Sequence, residues 1–101
     1  MFPQESEIRT YCYLVERGKP TALITIQDRF INSALSVVEK ENLYAYIEYL
    51  SEGWSTFWIY KYEYMLKVIK SLPEEPNTVY KHWILGKVFG YSDEAIREFV
   101  N

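Results

Sequence analysis

The stretch that decides the fold is Leu43–Lys61, which reads LYAYIEYLSEGWSTFWIYK. Two runs of aromatic, aliphatic and β-branched residues flank Ser51-Glu52-Gly53, which predicts two strands joined by a three-residue hairpin turn with Gly53 in the left-handed region. Pairing Leu50 with Trp54 sets the register. A helix is the alternative for the first run, because its apolar residues also match the helical period.

In this register the side chains of the hairpin alternate between two faces. One face is aliphatic and consists of Leu43, Ala45, Ile47, Phe57 and Ile59. The other, which we call the aromatic face, consists of Tyr44, Tyr46, Glu48, Thr56, Trp58 and Tyr60. A two-residue turn would mix the two sets, so the clean separation favours the three-residue turn.

Upstream of the hairpin, residues 3–17 carry helix signals: Pro3 near the start, acidic residues in the first turn and Gly18 beyond the end. A strand is the alternative, because apolar residues in this segment also alternate. Residues 21–27 are short, partly β-branched and apolar at the centre, which predicts a buried strand.

Asp28 is a candidate N-cap for a second helix that runs to about Lys40. A helix between the strand at 21–27 and the strand that begins near Leu43 suits a right-handed parallel crossover. The sequence therefore predicts one βαβ unit followed by the hairpin.

Downstream, a helical pattern from Tyr62 ends at Pro73, a further helix runs from Asn77 or Thr78 to Phe89, and Ser92 caps a last one. The predicted fold is a single α+β domain over residues 1–101. It has a small three-stranded mixed sheet packed with four to five helices, in the order α-β-α-β-β-α-α-α.

Composition excludes several function classes. The chain has 14 acidic and 11 basic residues and a formal charge of −3, without basic blocks, which disfavours nucleic acid as a partner. No apolar run approaches the roughly 20 residues that span a bilayer, so no membrane role is expected. The acidic N-terminus lacks the features of a secretory signal, and the single Cys12 cannot form an internal disulfide; both favour a cytoplasmic location.

Residues with catalytic or metal-binding chemistry are sparse. His82 is the only histidine, and no motif places a serine or Cys12 beside it. Its neighbours at helical spacing are apolar, which favours a structural role. No ligand spacing for zinc or calcium is present, so we expect no metal and no cofactor.

Two hypotheses follow for function. The first is a non-enzymatic interaction or regulatory module that uses the aromatic face to bind a protein partner or to self-associate into a homodimer. Helices covering both faces of the sheet would instead make these aromatic residues core. The second is a small-ligand-binding protein or minor enzyme in which His82, Tyr80 and Glu48 converge on an aromatic cleft.

Overall fold

The computed structural model describes residues 2–72, 87–90 and 94 of the chain, which form an α+β fold. Its elements are α1 (Glu5–Glu16), β1 (Thr21–Gln27), a 3₁₀ turn (Asp28–Phe30), α2 (Ile31–Lys40), β2 (Tyr44–Ser51), β3 (Trp54–Tyr60) and α3 (Met65–Lys70). The predicted N-terminal helix, all three predicted strands and the helix after β3 are confirmed. Most of the segment predicted to form the last two helices lies outside the described residues.

The three strands form an antiparallel sheet in the order β1-β3-β2. The predicted mixed sheet is therefore wrong: β1 and β2 run in the same direction, as the crossover through α2 requires, but β3 lies between them. Each of them pairs only with β3 in the described part of the chain. The crossover thus joins two edge strands rather than two neighbours.

The central place of β3 has a cause in its sequence. Phe57 and Ile59 point to one face of the sheet, while Trp58 and Tyr60 point to the other, and all four are buried. A strand that is apolar on both faces is typical of the middle of a covered sheet. This continuous run, rather than the order of the strands along the chain, is the signal for β3 as the central strand.

The hairpin register is confirmed over most of its length, since Tyr44 lies opposite Tyr60 and Glu48 opposite Thr56. Near the turn the prediction is wrong by one residue. The register shifts between Tyr49 and Ser51, so Ser51 rather than Leu50 lies opposite Trp54. The turn therefore consists of Glu52 and Gly53 rather than of the three residues predicted. The shift is a β-bulge, which lets the strand absorb one extra residue. Gly53 has a φ of 78°, as the left-handed position predicts.

The main core lies between the sheet and the first two helices. Ile8, Cys12 and Val15 of α1 are buried, as are Ala34, Val37 and Val38 of α2. They pack with Leu43, just before β2, and with apolar residues of the sheet, which are Ala22, Ile24, Ile26, Ala45, Ile47, Phe57 and Ile59. The predicted aliphatic face of the hairpin is therefore one wall of this core.

A second, smaller core covers part of the opposite face. Trp58 and Tyr60 pack with Met65 and Ile69 of α3 and with Val88. Leu23 of β1, Tyr46 of β2 and Phe89 are half-buried at its border. In the described residues the sheet is thus covered on both sides, but the second layer centres on β3, and Tyr44 and Glu48 of β2 stay exposed.

Asp28 does not cap the second helix as predicted. Gln27 and Phe30, the residues that precede the 3₁₀ turn and α2, make no side-chain cap hydrogen bond. The Asp28 carboxylate instead accepts a hydrogen bond from Ser55 Oγ at 2.7 Å, and its backbone N–H donates to the Gly53 carbonyl at 2.9 Å. The residue therefore ties the end of β1 to the hairpin turn.

Candidate interaction surface

The six residues of the aromatic face divide into a covered and an uncovered part. Trp58 and Tyr60, both on the central strand, are only 6% and 4% exposed. Tyr44 is 43% exposed, Glu48 is also exposed, and Tyr46 and Thr56 are half-buried. The exposed part of the aromatic face therefore lies on β2.

Trp58 links the covered part to the open part. Its ring is stacked on Phe89 with centroids 5.7 Å apart, and its Nε1–H donates a hydrogen bond to Glu48 Oε1 at 3.1 Å. The indole is thus apolar on its buried side and polar at its tip, as tryptophan at a surface boundary usually is. The bond holds the Glu48 carboxylate beside the tyrosines.

The neighbouring pair Tyr44 and Tyr60 is stacked, with ring centroids 5.5 Å apart and ring planes inclined by 18°. Burial raises the pKa of Tyr60 above its ordinary value, and the nearby Tyr44 and Glu63 raise it further. The phenol of Tyr60 therefore stays protonated at neutral pH, and it acts as packing rather than as a base.

A cation lies beside the open aromatic residues. The Lys70 ammonium is 5.4 Å from the centroid of the Tyr46 ring, within the range of a cation–π interaction. Glu48 is two residues further along the same strand and points to the same side of the sheet. The uncovered surface thus carries one negative and one positive charge at neighbouring positions.

The turn end of the hairpin adds exposed apolar residues that the sequence hypothesis did not include. Tyr49 is 76% exposed and Leu50, at the bulge, is 52% exposed. We call this edge the β2 strip; it consists of the exposed Tyr44, Glu48, Tyr49 and Leu50 and of the half-buried Tyr46. Its turn end escapes sequence reasoning because neither the bulge nor the edge position of β2 shows in the residue pattern.

The opposite edge of the sheet is covered. Gln4 Nε2 donates a hydrogen bond to the backbone carbonyl of Thr25 in β1 at 2.7 Å. Thr21, which is fully buried, donates from Oγ1 to the carbonyl of Val88 at 3.0 Å. Lys19, just before β1, donates to the carbonyl of Phe89, and burial lowers its pKa. Segments from both sides therefore close the β1 edge.

The residues of the alternative hypothesis, His82 and Tyr80, lie outside the described residues, so a ligand site that includes them stays a prediction. In the described part of the chain, no three His, Cys, Asp or Glu side chains form a group that could hold a metal ion. The pKa of the Cys12 thiol is raised to about 11, mainly by burial and also by the charge of Glu41, while Arg9 acts in the opposite direction. Cys12 is therefore a packing residue rather than a nucleophile.

An open groove of about 730 Å³ lies beside α1 and α2. Among the residues that line it, Arg9 forms an ion pair with Glu5 at 3.4 Å and Arg29 Nε donates a hydrogen bond to Gln27 at 2.8 Å. Both cations are therefore already engaged. The groove also lies by the helices that cover the aliphatic face, away from the β2 strip.

No protein-family model matches the chain, and neither the curated proteins nor the solved structures include a match to it. None of the helices in residues 2–72, 87–90 and 94 has the length and apolar character needed to cross a membrane.

Proposed function

We propose that this chain is a non-enzymatic protein-interaction module that contacts its partner through the β2 strip. The observation that carries the proposal is the contrast between the two edges of one sheet. Gln4 binds a backbone carbonyl on the β1 edge, whereas β2 carries exposed tyrosines beside a single carboxylate. Exposed strand edges form backbone hydrogen bonds with added strands, and aromatic residues are enriched where proteins bind one another.

The composition of the strip supports recognition. Tyr44, Tyr46 and Tyr49 offer large contact areas, and tyrosine loses little side-chain entropy when it is immobilised. Stacking on Tyr60 and the contact with Lys70 already restrict Tyr44 and Tyr46. A surface that is partly ordered before binding pays less entropy when its partner docks.

Site-specific photo-crosslinking tests this proposal. A photoreactive phenylalanine analogue at Tyr44 or Tyr49 samples the strip, and the same analogue at Tyr13 on α1 is the control because Tyr13 is also exposed. We expect discrete adducts from the two strip positions in the source cell, identified by mass spectrometry, and none from the control position. An adduct of two copies of this chain and an adduct with another protein both support the proposal.

A direct binding measurement completes the test. The crosslinked species, purified and mixed with the chain, should bind at least about tenfold more weakly to a Tyr44→Ser variant than to the wild type, because an interfacial aromatic anchor is lost. Circular dichroism should show that the variant keeps its fold. Adducts at the control position alone, or an unchanged affinity, would contradict the proposal.

A further inference from the structure

We propose that the partner is a second copy of this chain, and that the two β2 strands pair antiparallel about a two-fold axis at Ile47 to form a six-stranded sheet. This inference rests on the proposed function of the β2 strip. Its experimental arms separate failure of the second copy from failure of the strip as a contact surface.

The direction of the backbone groups of β2 follows from the ladder on the far side of the sheet. The Thr25 carbonyl receives its hydrogen bond from Gln4, so it points away from β3. Thr25 lies opposite Thr56, and in an antiparallel ladder opposite pairs alternate between bonded and non-bonded. The backbone groups of Thr56 therefore point to the other side, towards Glu48 of β2.

The alternating direction of the backbone groups along β2 then shows which residues point to its outer edge. The backbone N–H and carbonyl of Glu48 point towards β3. Because this direction alternates from one residue to the next, the backbone groups of Ala45, Ile47 and Tyr49 point away from the sheet. The Glu48 carbonyl also accepts a hydrogen bond from Thr56 Oγ1 at 3.3 Å, which agrees with that carbonyl lying on the β3 side. The outer edge of β2 thus offers three N–H donors and three carbonyl acceptors to a second strand.

A two-fold axis at Ile47 uses all of these groups. It places Ile47 opposite Ile47 of the second copy and Ala45 opposite Tyr49 of the second copy, so every outward residue meets an outward residue. An axis at Tyr46 would place Tyr49 opposite Leu43, which precedes the strand and is buried. The axis at Ile47 therefore gives the longest continuous ladder.

Charge complementarity selects the same axis. With the axis at Ile47, Glu48 lies opposite Tyr46 of the second copy, and Lys70 of that copy lies over the same Tyr46 ring. Two equivalent contacts between a carboxylate and an ammonium result. An axis at Glu48 would instead set two carboxylates directly opposite each other, which is unfavourable.

The sequence of β2 itself lacks two of the features that commonly keep edge strands unpaired. Strands at sheet edges are commonly protected by lysine or proline, and Tyr44–Ser51 contains neither. Its one bulge lies at the turn end, outside the stretch from Ala45 to Tyr49. A second copy meets no obstacle of this kind along the paired stretch.

Charge reversal with a mixing step tests the pairing. Sedimentation equilibrium from about 1 to about 500 µM covers weak and moderate dimers. We expect the wild type to dimerise, and Glu48→Lys and Lys70→Glu each to dissociate at least about tenfold more readily, because each homodimer contains two like-charge contacts. Mixing the two variants restores opposite charges at both contacts, so the mixture should form a heterodimer of near wild-type affinity.

The control variants carry the same charge changes elsewhere. Glu39→Lys and Lys40→Glu lie at exposed positions near the end of α2. Each should dimerise like the wild type, and mixing them should change nothing. If these controls weaken the dimer as much as the β2 and α3 variants do, net charge rather than local pairing is responsible, and the inference fails.

A proline substitution tests strand pairing itself. Tyr49→Pro removes an N–H that points away from β3, so the hairpin loses no hydrogen bond of its own while the dimer loses one at each end of the ladder. We expect a loss of dimerisation with an unchanged far-ultraviolet circular dichroism spectrum. A Tyr49→Pro chain that dimerises like the wild type would overturn the proposed pairing.

The remaining outcomes separate the two proposals. A wild-type chain that stays monomeric up to about 500 µM, or a dimer that no β2 variant weakens, excludes pairing of β2 with its own copy. Strip adducts with a different protein would then leave the proposed function standing. If the strip positions give no adduct at all, the proposed function fails as well.

Discussion

The two edge strands of the sheet have similar apolar sequences but lie in different environments. Ile24 of β1 and Ile47 of β2 lie on either side of the same Phe57, yet Ile24 is buried and Ile47 is only half-buried. On the other face, Thr21 of β1 is fully buried whereas Tyr44, opposite the same Tyr60, is exposed. Position at an edge therefore does not by itself leave a strand open.

The difference comes from the segments that flank each strand. Gln4, just before α1, donates a hydrogen bond to a backbone carbonyl of β1. On the other side of this strand, the carbonyls of Val88 and Phe89 accept hydrogen bonds from Thr21 and Lys19. β2 is preceded by the short link from α2 and followed by a tight turn into β3. Neither of these connections covers its outer edge.

The largest expected effect compares one substitution on the two edges. Ile24→Ala should lower the free energy of unfolding by about 3 kcal/mol, because it leaves a cavity in the closed core, and Ile47→Ala by only about 1.5 kcal/mol. Urea denaturation of both variants at low concentration measures the difference. Equal losses would show that the β2 edge is as well packed as the β1 edge.

Alkaline pH should lower the free energy of unfolding through Cys12, which is buried in the main core. The Cys12 thiol has a pKa of about 11 in the folded chain and 9.0 as its ordinary value, so the unfolded state loses its proton first. The contribution of the Cys12 thiol to the free energy of unfolding is fully present below pH 9 and is lost as pH rises through 11. The loss is at most about 2–3 kcal/mol. Tyr60, whose pKa is also raised, acts in the same direction.

The measurement is the pH dependence of unfolding by urea between about pH 8 and 11, with Cys12→Ala as the comparison. The variant should lose stability less steeply over this range, whatever its stability at neutral pH. Parallel curves for the two proteins would show that the thiol does not contribute to the alkaline loss.

Opening the β1 edge is expected to have a smaller effect. Gln4→Ala removes the hydrogen bond to the Thr25 carbonyl and should cost about 1 kcal/mol or less, because the bond is exposed and water can replace the donor. Ser6→Ala, an exposed position two residues further along in α1, is the control. A Gln4→Ala loss no larger than that of the control would show that the bond does not protect this edge.

The smallest effect is expected on the strip itself. Tyr49→Ser removes a largely exposed side chain and should change the stability of the monomer by no more than about 0.5 kcal/mol. Thermal unfolding of dilute protein checks this value. A loss above 1 kcal/mol would mean that Tyr49 packs within the chain and is not free for a partner.

Local sequence was a good guide wherever the pattern of side chains decides the structure. The strand at Thr21–Gln27, the hairpin register from Tyr44 to Tyr49 and the left-handed Gly53 all follow from alternation and turn chemistry. Local sequence led to a wrong prediction for the type of sheet and for the role of Asp28 as a helix cap. Both depend on which distant segment lies alongside, namely β3 beside β1 and Ser55 beside Asp28.

The candidate site shows the same division. The aromatic face was predicted as a set of six residues, and their common side follows from the period of two along each strand. Its split into buried Trp58 and Tyr60 and an open β2 could not be predicted, because it depends on where α3 and Phe89 dock. Tyr49 and Leu50 were missed, since the bulge and the edge position decide their exposure.

The sequence by itself thus determined the elements and the two chemically distinct faces of the hairpin, because periodicity is a local property of the backbone. Only the tertiary structure decided that the β1 edge is closed and that, in the described part of the chain, β2 keeps exposed side chains at the other edge. Those outcomes depend on contacts between segments far apart in the chain, such as Gln4 with Thr25, and these distant contacts leave no mark on local residue order.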